Sequence, residues 1–213
     1  MRQQLIDSTV QFVKEQLDGD SSGHDWFHIE RVWINALSIH EQEQTGNLLV
    51  IELAALLHDL ADSKLFDEVV GRQNIHYFLE GEGVPNSIVQ HVLQIIDTIS
   101  FRKGIKPVII EGQIVQDADR LDAIGAIGIA RAFAYGGATG QALFDPAKPL
   151  DKITDQKSAS TIHHFFDKLL VLQELMNTTT GRKLAKERHQ FMLDFLDQFF
   201  SELDQTIDDS KTE

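Results

Sequence analysis

Three short clusters hold the side chains able to do chemistry. The first is Gly23-His24-Asp25-Trp26-Phe27-His28-Ile29-Glu30-Arg31. On a helix, His24 and Arg31 lie four and three positions from His28, so either shares its face. Asp25 is placed to cap that helix through a backbone N–H of its first turn. The second cluster is Leu56-Leu57-His58-Asp59-Leu60-Ala61-Asp62, with Lys64 close behind. A His-Asp pair closes the most apolar run of the chain, where an ionisable group is costly unless paired or metal-bound. It reads either as a neutral core histidine bonded to its neighbour or as two metal ligands. Asp62 and Lys64 add a spare carboxylate and a cation, the inventory of a phosphate site. The third cluster places Asp117, Asp119 and Asp122 within six positions flanked by Ile114, Val115, Leu121 and Ile124. Asp122 could cap the next helix and Asp117 could pair with Arg120. Three acids in an apolar segment still favour at least one carboxylate facing a metal, and spacing does not choose among them.

Composition limits what such a site can be. The chain has no cysteine, so thiolate metal sites, disulfides and a Cys nucleophile are excluded. A metal must be held by His, Asp or Glu, which suits Mn, Fe, Co, Ni, Zn or Mg. Lys and Arg number 19 against 33 Asp and Glu, a net charge of −14. That field opposes non-specific binding to nucleic acid or an anionic membrane. A small phosphate ester is still admissible, because a bound cation inverts the local sign. No run approaches the ~18 apolar residues of a membrane span. Residues 1–17 lack the apolar core of a signal peptide. A cytoplasmic protein, monomer or homodimer, is expected.

Helical periodicity supplies the elements that must position these residues. Leu5, Ile6, Val10, Val13 and Leu17 form one stripe, closed by Asp18-Gly19-Asp20. A second helix is expected from about Asp25 to Gln44. Residues 48–61 are apolar on nearly every face, which predicts a central helix. Further helices are expected after Asp67, from Pro85 through His91 to about Thr98, over Gly112 to Tyr135, and over 158–177 and 180–206. Residues 136–157, with Gly136, Gly137, Gly140, Pro146 and Pro149, read as one long loop able to move as a lid. No Gly-Lys-Ser/Thr follows these glycines, so they make no P-loop. The acidic tail 206–213 is set apart from a single domain over 1–205. No segment alternates with period two, and the fold class is all-α.

His28, then His58-Asp59, then Asp119 resembles the ordered H…HD…D signature of the HD-domain metal-dependent phosphohydrolases. Ala118-Asp119-Arg120-Leu121 is similar to the family's context for its last ligand, which is what selects Asp119. His24 to His28, Asp117 to Ala123 and His164 to Leu170 resemble a branch of small, stand-alone bacterial members, over essentially residues 1–205. The resemblance implies a compact helical bundle around one divalent ion, held by His28, His58, Asp59 and Asp119 with positions open for water and phosphate oxygen. It implies Asp62 as general base or water-orienting group. Lys64 and Arg31 become candidates to neutralise phosphate charge, Arg31 in bidentate fashion or else paired with Glu30 or Asp62. His91 and His164, with Lys168, Arg182 and Arg188, are candidate phosphate contacts. Phe133, Tyr135 and Phe144 are candidates for stacking on a base.

The expected function is hydrolysis of a small nucleotide, above all cleavage of a nucleoside triphosphate with release of pyrophosphate. A 5′-nucleotidase, a cyclic-nucleotide phosphodiesterase and a non-catalytic metal or nucleotide sensor are the alternatives. A purely structural helical adaptor fits poorly, since clustered buried acids without a cation demand unusual pKa shifts or partners.

Overall fold

The computed structural model describes residues 2–17, 25–61, 67–99, 104–148 and 159–209, with side chains through 204. His24, Asp62, Lys64 and residues 149–158 of the expected loop lie outside the described residues. No strand occurs among those described, and no described helix is long and apolar enough to cross a membrane. The fold is all-α, as expected.

The chain divides into two compact units. The first comprises residues 1–122 and 176–182. It contains α1 (Arg2–Gln16), α2 (Trp26–Glu43), α3 (Leu48–Leu57), a 3₁₀ turn (His58–Ala61), α4 (Glu68–Gly81), α5 (Asn86–Ile99) and α6 (Ile110–Asp122). Helix α3 is the centre that its all-round apolarity predicts. It packs on α1, α2, α5 and α6, and every residue from Val50 to Leu57 is buried. That includes Glu52, whose carboxylate accepts from Arg2 Nε at 2.7 Å. The starts of three helices are set by short polar side chains. Asp25 accepts from His28 N, Asn47 from Leu49 N, and Asp67 from Val69 N, each at 3.0 Å.

The stretch 112–135 is two helices rather than one. It breaks at Ala123–Ile124, and Gly125 takes a left-handed φ of 75°. The run of small residues suits a helix on either side, but Gly125 turns the chain where a side chain would be strained.

The second unit comprises residues 123–175 and 183–213. It holds α7 (Gly125–Ala138), α8 (Thr161–His164), a π turn (Phe165–Leu169), a 3₁₀ turn (Leu170–Gln173) and most of α9 (Thr179–Asp209). The single helix expected over 158–177 is thus three short helical pieces. Helix α9 continues into the expected tail as far as Asp209. The lid expectation fails at its first hinge. Gly136 lies inside α7, where a Cβ would meet Thr161 Oγ1 at 2.2 Å, so its small size serves close packing. Residues 141–143 are tied down as well: Gln141 N donates to Gly136 O, and Ala142 and Leu143 carbonyls accept from Thr161 and Ile162. Phe133 packs on Phe165 and Phe195, and Phe144 on His163, Phe199 and Phe200. Two of the three proposed base-stacking rings are therefore packed against other rings at partly buried positions, and Tyr135 alone is exposed.

Candidate metal centre

Three elements of the first unit converge. Helix α2 brings His28 in its first turn, fixed by the Asp25 cap. The 3₁₀ turn that ends α3 brings His58 and Asp59. The last turn of α6, which packs on both α2 and α3, brings Asp119 and Asp122 on one face, three residues apart.

Both imidazoles have their tautomers set by the partner of Nδ1. His28 Nδ1 lies 2.7 Å from Asp122 Oδ2, and His58 Nδ1 lies 2.9 Å from the Ala55 carbonyl oxygen. Each partner accepts only, so Nδ1 carries the proton and Nε2 keeps its lone pair. The two Nε2 atoms point at the same two carboxylates. His28 Nε2 is 3.3 Å from Asp59 Oδ2 and 3.6 Å from Asp119 Oδ1. His58 Nε2 is 3.3 Å from Asp59 Oδ1 and 3.8 Å from the same Asp119 oxygen.

The residues fit a divalent ion. With Nδ1 protonated on both rings, the Nε2 lone pairs of His28 and His58 face the carboxylates of Asp59 and Asp119. His58 Nε2 is buried and has no hydrogen-bond partner. Such an atom is costly unless a cation meets it. One atom each from His28, His58 and Asp119 lie within 4.8 Å of one another. Ligand bonds of about 2.0–2.2 Å put neighbouring donors ~3 Å and opposed donors ~4 Å apart, which brackets the separations seen here. Two neutral imidazoles and two carboxylates supply the charge to balance a dication. The centre is also asymmetric: His28, His58 and Asp59 are buried, whereas the Asp119 side chain is 30 % exposed. Of the four side chains, Asp119 is the one partly open to solvent.

The family model for the HD domain matches residues 26–124, a span containing all four of these side chains. The *Bacillus subtilis* protein YpgQ is 46 % identical over 192 residues, 88 % of each chain. The chain belongs to the HD superfamily. A solved HD-superfamily hydrolase from *Bacillus thuringiensis* is 45 % identical, with a TM-score of 0.80 over 96 % of this chain and 99 % of that one. YpgQ in complex with ADP is 41 % identical in its aligned part, with a TM-score of 0.76 over 92 % and 97 % of the two chains.

The other sequence candidates of this HD chain have different surroundings. The Arg31 guanidinium is hydrogen-bonded to Asp122, and Glu30 adds only a weaker electrostatic pull. Its Nε is 2.5 Å from Asp122 Oδ1 and its Nη2 3.1 Å from Oδ2, which holds the guanidinium above its usual pKa. Asp122 is therefore no helix cap; α7 has no side-chain cap at all. Asp117 turns away from the ligands. Its carboxylate accepts from the backbone and side chains of Asn177 and Thr178 at 2.7–3.0 Å. Burial pushes its carboxyl above the usual range against the pull of those donors. His91 faces Glu111, 3.7 Å away, and Glu111 lies eight residues before Asp119, ~12 Å along α6. Arg182 Nη1 donates to the Met176 carbonyl at 2.9 Å. His164 and Lys168 belong to the second unit. There it is the neighbouring His163 that is buried, bonded to Ser160 Oγ at 2.7 Å and to the Lys148 carbonyl at 3.2 Å.

Sequence reasoning missed Asp122 as the partner of His28. The signal available was its spacing of three from Asp119, which puts both on one face of α6.

Proposed function

We propose that this HD chain is a metal-dependent phosphohydrolase of small nucleotides, cleaving a nucleoside triphosphate to the monophosphate and pyrophosphate. The observation that carries the reading is the grouping of His28, His58 and Asp119 within 4.8 Å of one another, with Asp59 3.3 Å from both imidazoles and Asp119 partly open to solvent. The complex of the similar YpgQ with ADP supports a nucleotide as ligand.

His28, His58, Asp59 and Asp119 would hold the ion, one being enough for this donor set. Bound there, a divalent ion such as manganese would polarise a phosphoryl oxygen and acidify a coordinated water. The chain's own groups supply the rest. Hydrolysis would join a water oxygen to the α-phosphorus, break the α–β bridging P–O bond and release pyrophosphate with the electron pair. Asp62, three positions after Asp59, is assigned to take the water's proton, and Lys64 to offset phosphate charge. Arg31 is removed from the phosphate contacts because its guanidinium is committed to Asp122. His91 and Arg182 are likewise committed, to Glu111 and to the Met176 carbonyl.

The test is product analysis over a panel of nucleotides with Mn, Co, Ni, Mg and Zn, for the wild type and for Asp59→Ala. The expected result is pyrophosphate plus monophosphate from the wild type, and loss of metal and turnover together in the variant. Orthophosphate or a linearised monophosphate as product would replace this reaction with a nucleotidase or cyclic phosphodiesterase. No product under any condition would leave a sensor.

A further inference from the structure

The two histidines of the centre are held in unequal ways. His58 Nδ1 donates to a neutral carbonyl, that of Ala55. His28 Nδ1 donates to a carboxylate whose side chain is 2 % exposed. That carboxylate is gripped from the other side by the Arg31 fork. The four residues form two one-turn pairs, His28 with Arg31 on α2 and Asp119 with Asp122 on α6. The contact runs both ways between the helices, from His28 Nε2 toward Asp119 and from His28 Nδ1 to Asp122.

This arrangement decides a competition for one proton. A neutral imidazole can carry its hydrogen on either nitrogen. On Nε2 it would donate to Asp59, 3.3 Å away, and the ring would lose the lone pair a metal needs. On Nδ1 it donates to Asp122 at 2.7 Å, the shorter contact. A charge-assisted bond of that length is the stronger of the two. Arg31 adds two functions. Its paired donors fix the plane of the Asp122 carboxylate, and its charge offsets that of a carboxylate that would be costly to bury alone.

We infer that Asp122, clamped by Arg31, is a positioning residue that keeps His28 in the tautomer able to ligate and makes His28 the stronger of the two imidazole donors. The inference rests on the metal-centre reading above.

The experiment uses the full chain, stripped with chelator. Mn²⁺ affinity is measured by titration calorimetry, the His28 tautomer by long-range ¹H–¹⁵N NMR of the metal-free protein, and folding by thermal melts. Asp122→Ala is expected to weaken Mn²⁺ binding roughly 10–100-fold, as loss of a ligand's partner does elsewhere. It should also move the His28 proton to Nε2. Asp122→Asn keeps an acceptor for Nδ1 but turns an N–H₂ toward Arg31. It should hold the Nδ1–H tautomer and recover part of the affinity. Arg31→Gln, at a partly exposed side chain, should weaken binding severalfold with the fold intact. A folded Asp122→Ala protein with wild-type affinity and the His28 proton still on Nδ1 overturns the inference. Should Asp122→Ala not fold, wild-type affinity in both Asp122→Asn and Arg31→Gln overturns it instead. A wild-type chain that takes up no Mn²⁺, Co²⁺ or Zn²⁺ is a distinct failure, that of the metal centre itself.

Discussion

Gly71→Ala should damage the metal centre without touching any ligand. Gly71 lies on α4, packed against the 3₁₀ turn that carries His58 and Asp59. A Cβ at this position would fall 2.0 Å from the Leu60 carbonyl oxygen, 3.0 Å from its carbon and 3.1 Å from Ala61 Cα. All three are backbone atoms, so no rotamer change relieves the clash. Carbon and oxygen rest comfortably at about 3.3–3.6 Å, so helix and turn must part by roughly 1.3 Å or more. Overpacking of this kind costs about 1–3 kcal/mol. For a chain of this size each kcal/mol lowers the melting temperature by about 2–4 °C, so a fall of roughly 2–12 °C is expected. The strain lands one and two residues from two ligands, and a misplacement near 1 Å should weaken Mn²⁺ binding by about tenfold or more. Gly81→Ala is the control on the same helix. Nothing lies within 4 Å of its Cβ, and the change should be neutral or stabilising by up to ~1 kcal/mol. Thermal melts of the stripped proteins and calorimetric Mn²⁺ titrations read both effects. A Gly71→Ala protein with wild-type melting and affinity, or one indistinguishable from Gly81→Ala, refutes the reasoning.

Three further outcomes follow from particular contacts. Asp117→Asn confronts the donors of Asn177 and Thr178 with an amide and should cost about 2–3 kcal/mol in denaturant unfolding. Burial raises the Asp117 carboxyl in the folded state, so its protonation favours folding below the ordinary aspartate range and that contribution is lost as pH rises; the cost of Asp117→Asn should therefore be larger near about pH 4 than at neutral pH. Gly181→Ala would place a Cβ 2.3 Å from Asp117 Oδ2 and should loosen the same network, read as a lower melting temperature. Chelation should lower the melting temperature of the metal-loaded protein, since ligand at one hundred times its dissociation constant is worth about 2.7 kcal/mol, and restored Mn²⁺ should recover it.

The parts of this molecule legible in its sequence are those fixed by local chemistry. A segment apolar on all faces had to be the central helix, and α3 is. Asp25 ahead of His28 read as a cap, and it is one. The four proposed ligands were separable from other acids only through the family resemblance; the structure groups His28, His58 and Asp119 and sets Asp59 3.3 Å from both imidazoles. What was not legible depends on how distant elements meet. The spacing of Asp117, Asp119 and Asp122 says which share a face of α6 but not which face meets α2, so a cap was one role open to Asp122 and the pairing with His28 was not foreseen. Arg31 was assigned to phosphate for the same reason, because a cation beside a ligand gives no hint that its counter-ion lies 91 residues away. His163 and His164 are adjacent in α8, and nothing in the sequence says which of the two faces the interior; the structure buries His163. The break at residues 123–125 was hidden in a run of small residues that a continuous helix would also accept.

The most direct test is a crystal of the full chain grown with Mn²⁺ and measured at the manganese absorption edge. One anomalous peak is expected, bonded at about 2.0–2.2 Å to Nε2 of His28, Nε2 of His58 and carboxylate oxygens of Asp59 and Asp119. A peak elsewhere, or none with the two imidazoles hydrogen-bonded to the two carboxylates instead, would contradict a metal centre at these four residues.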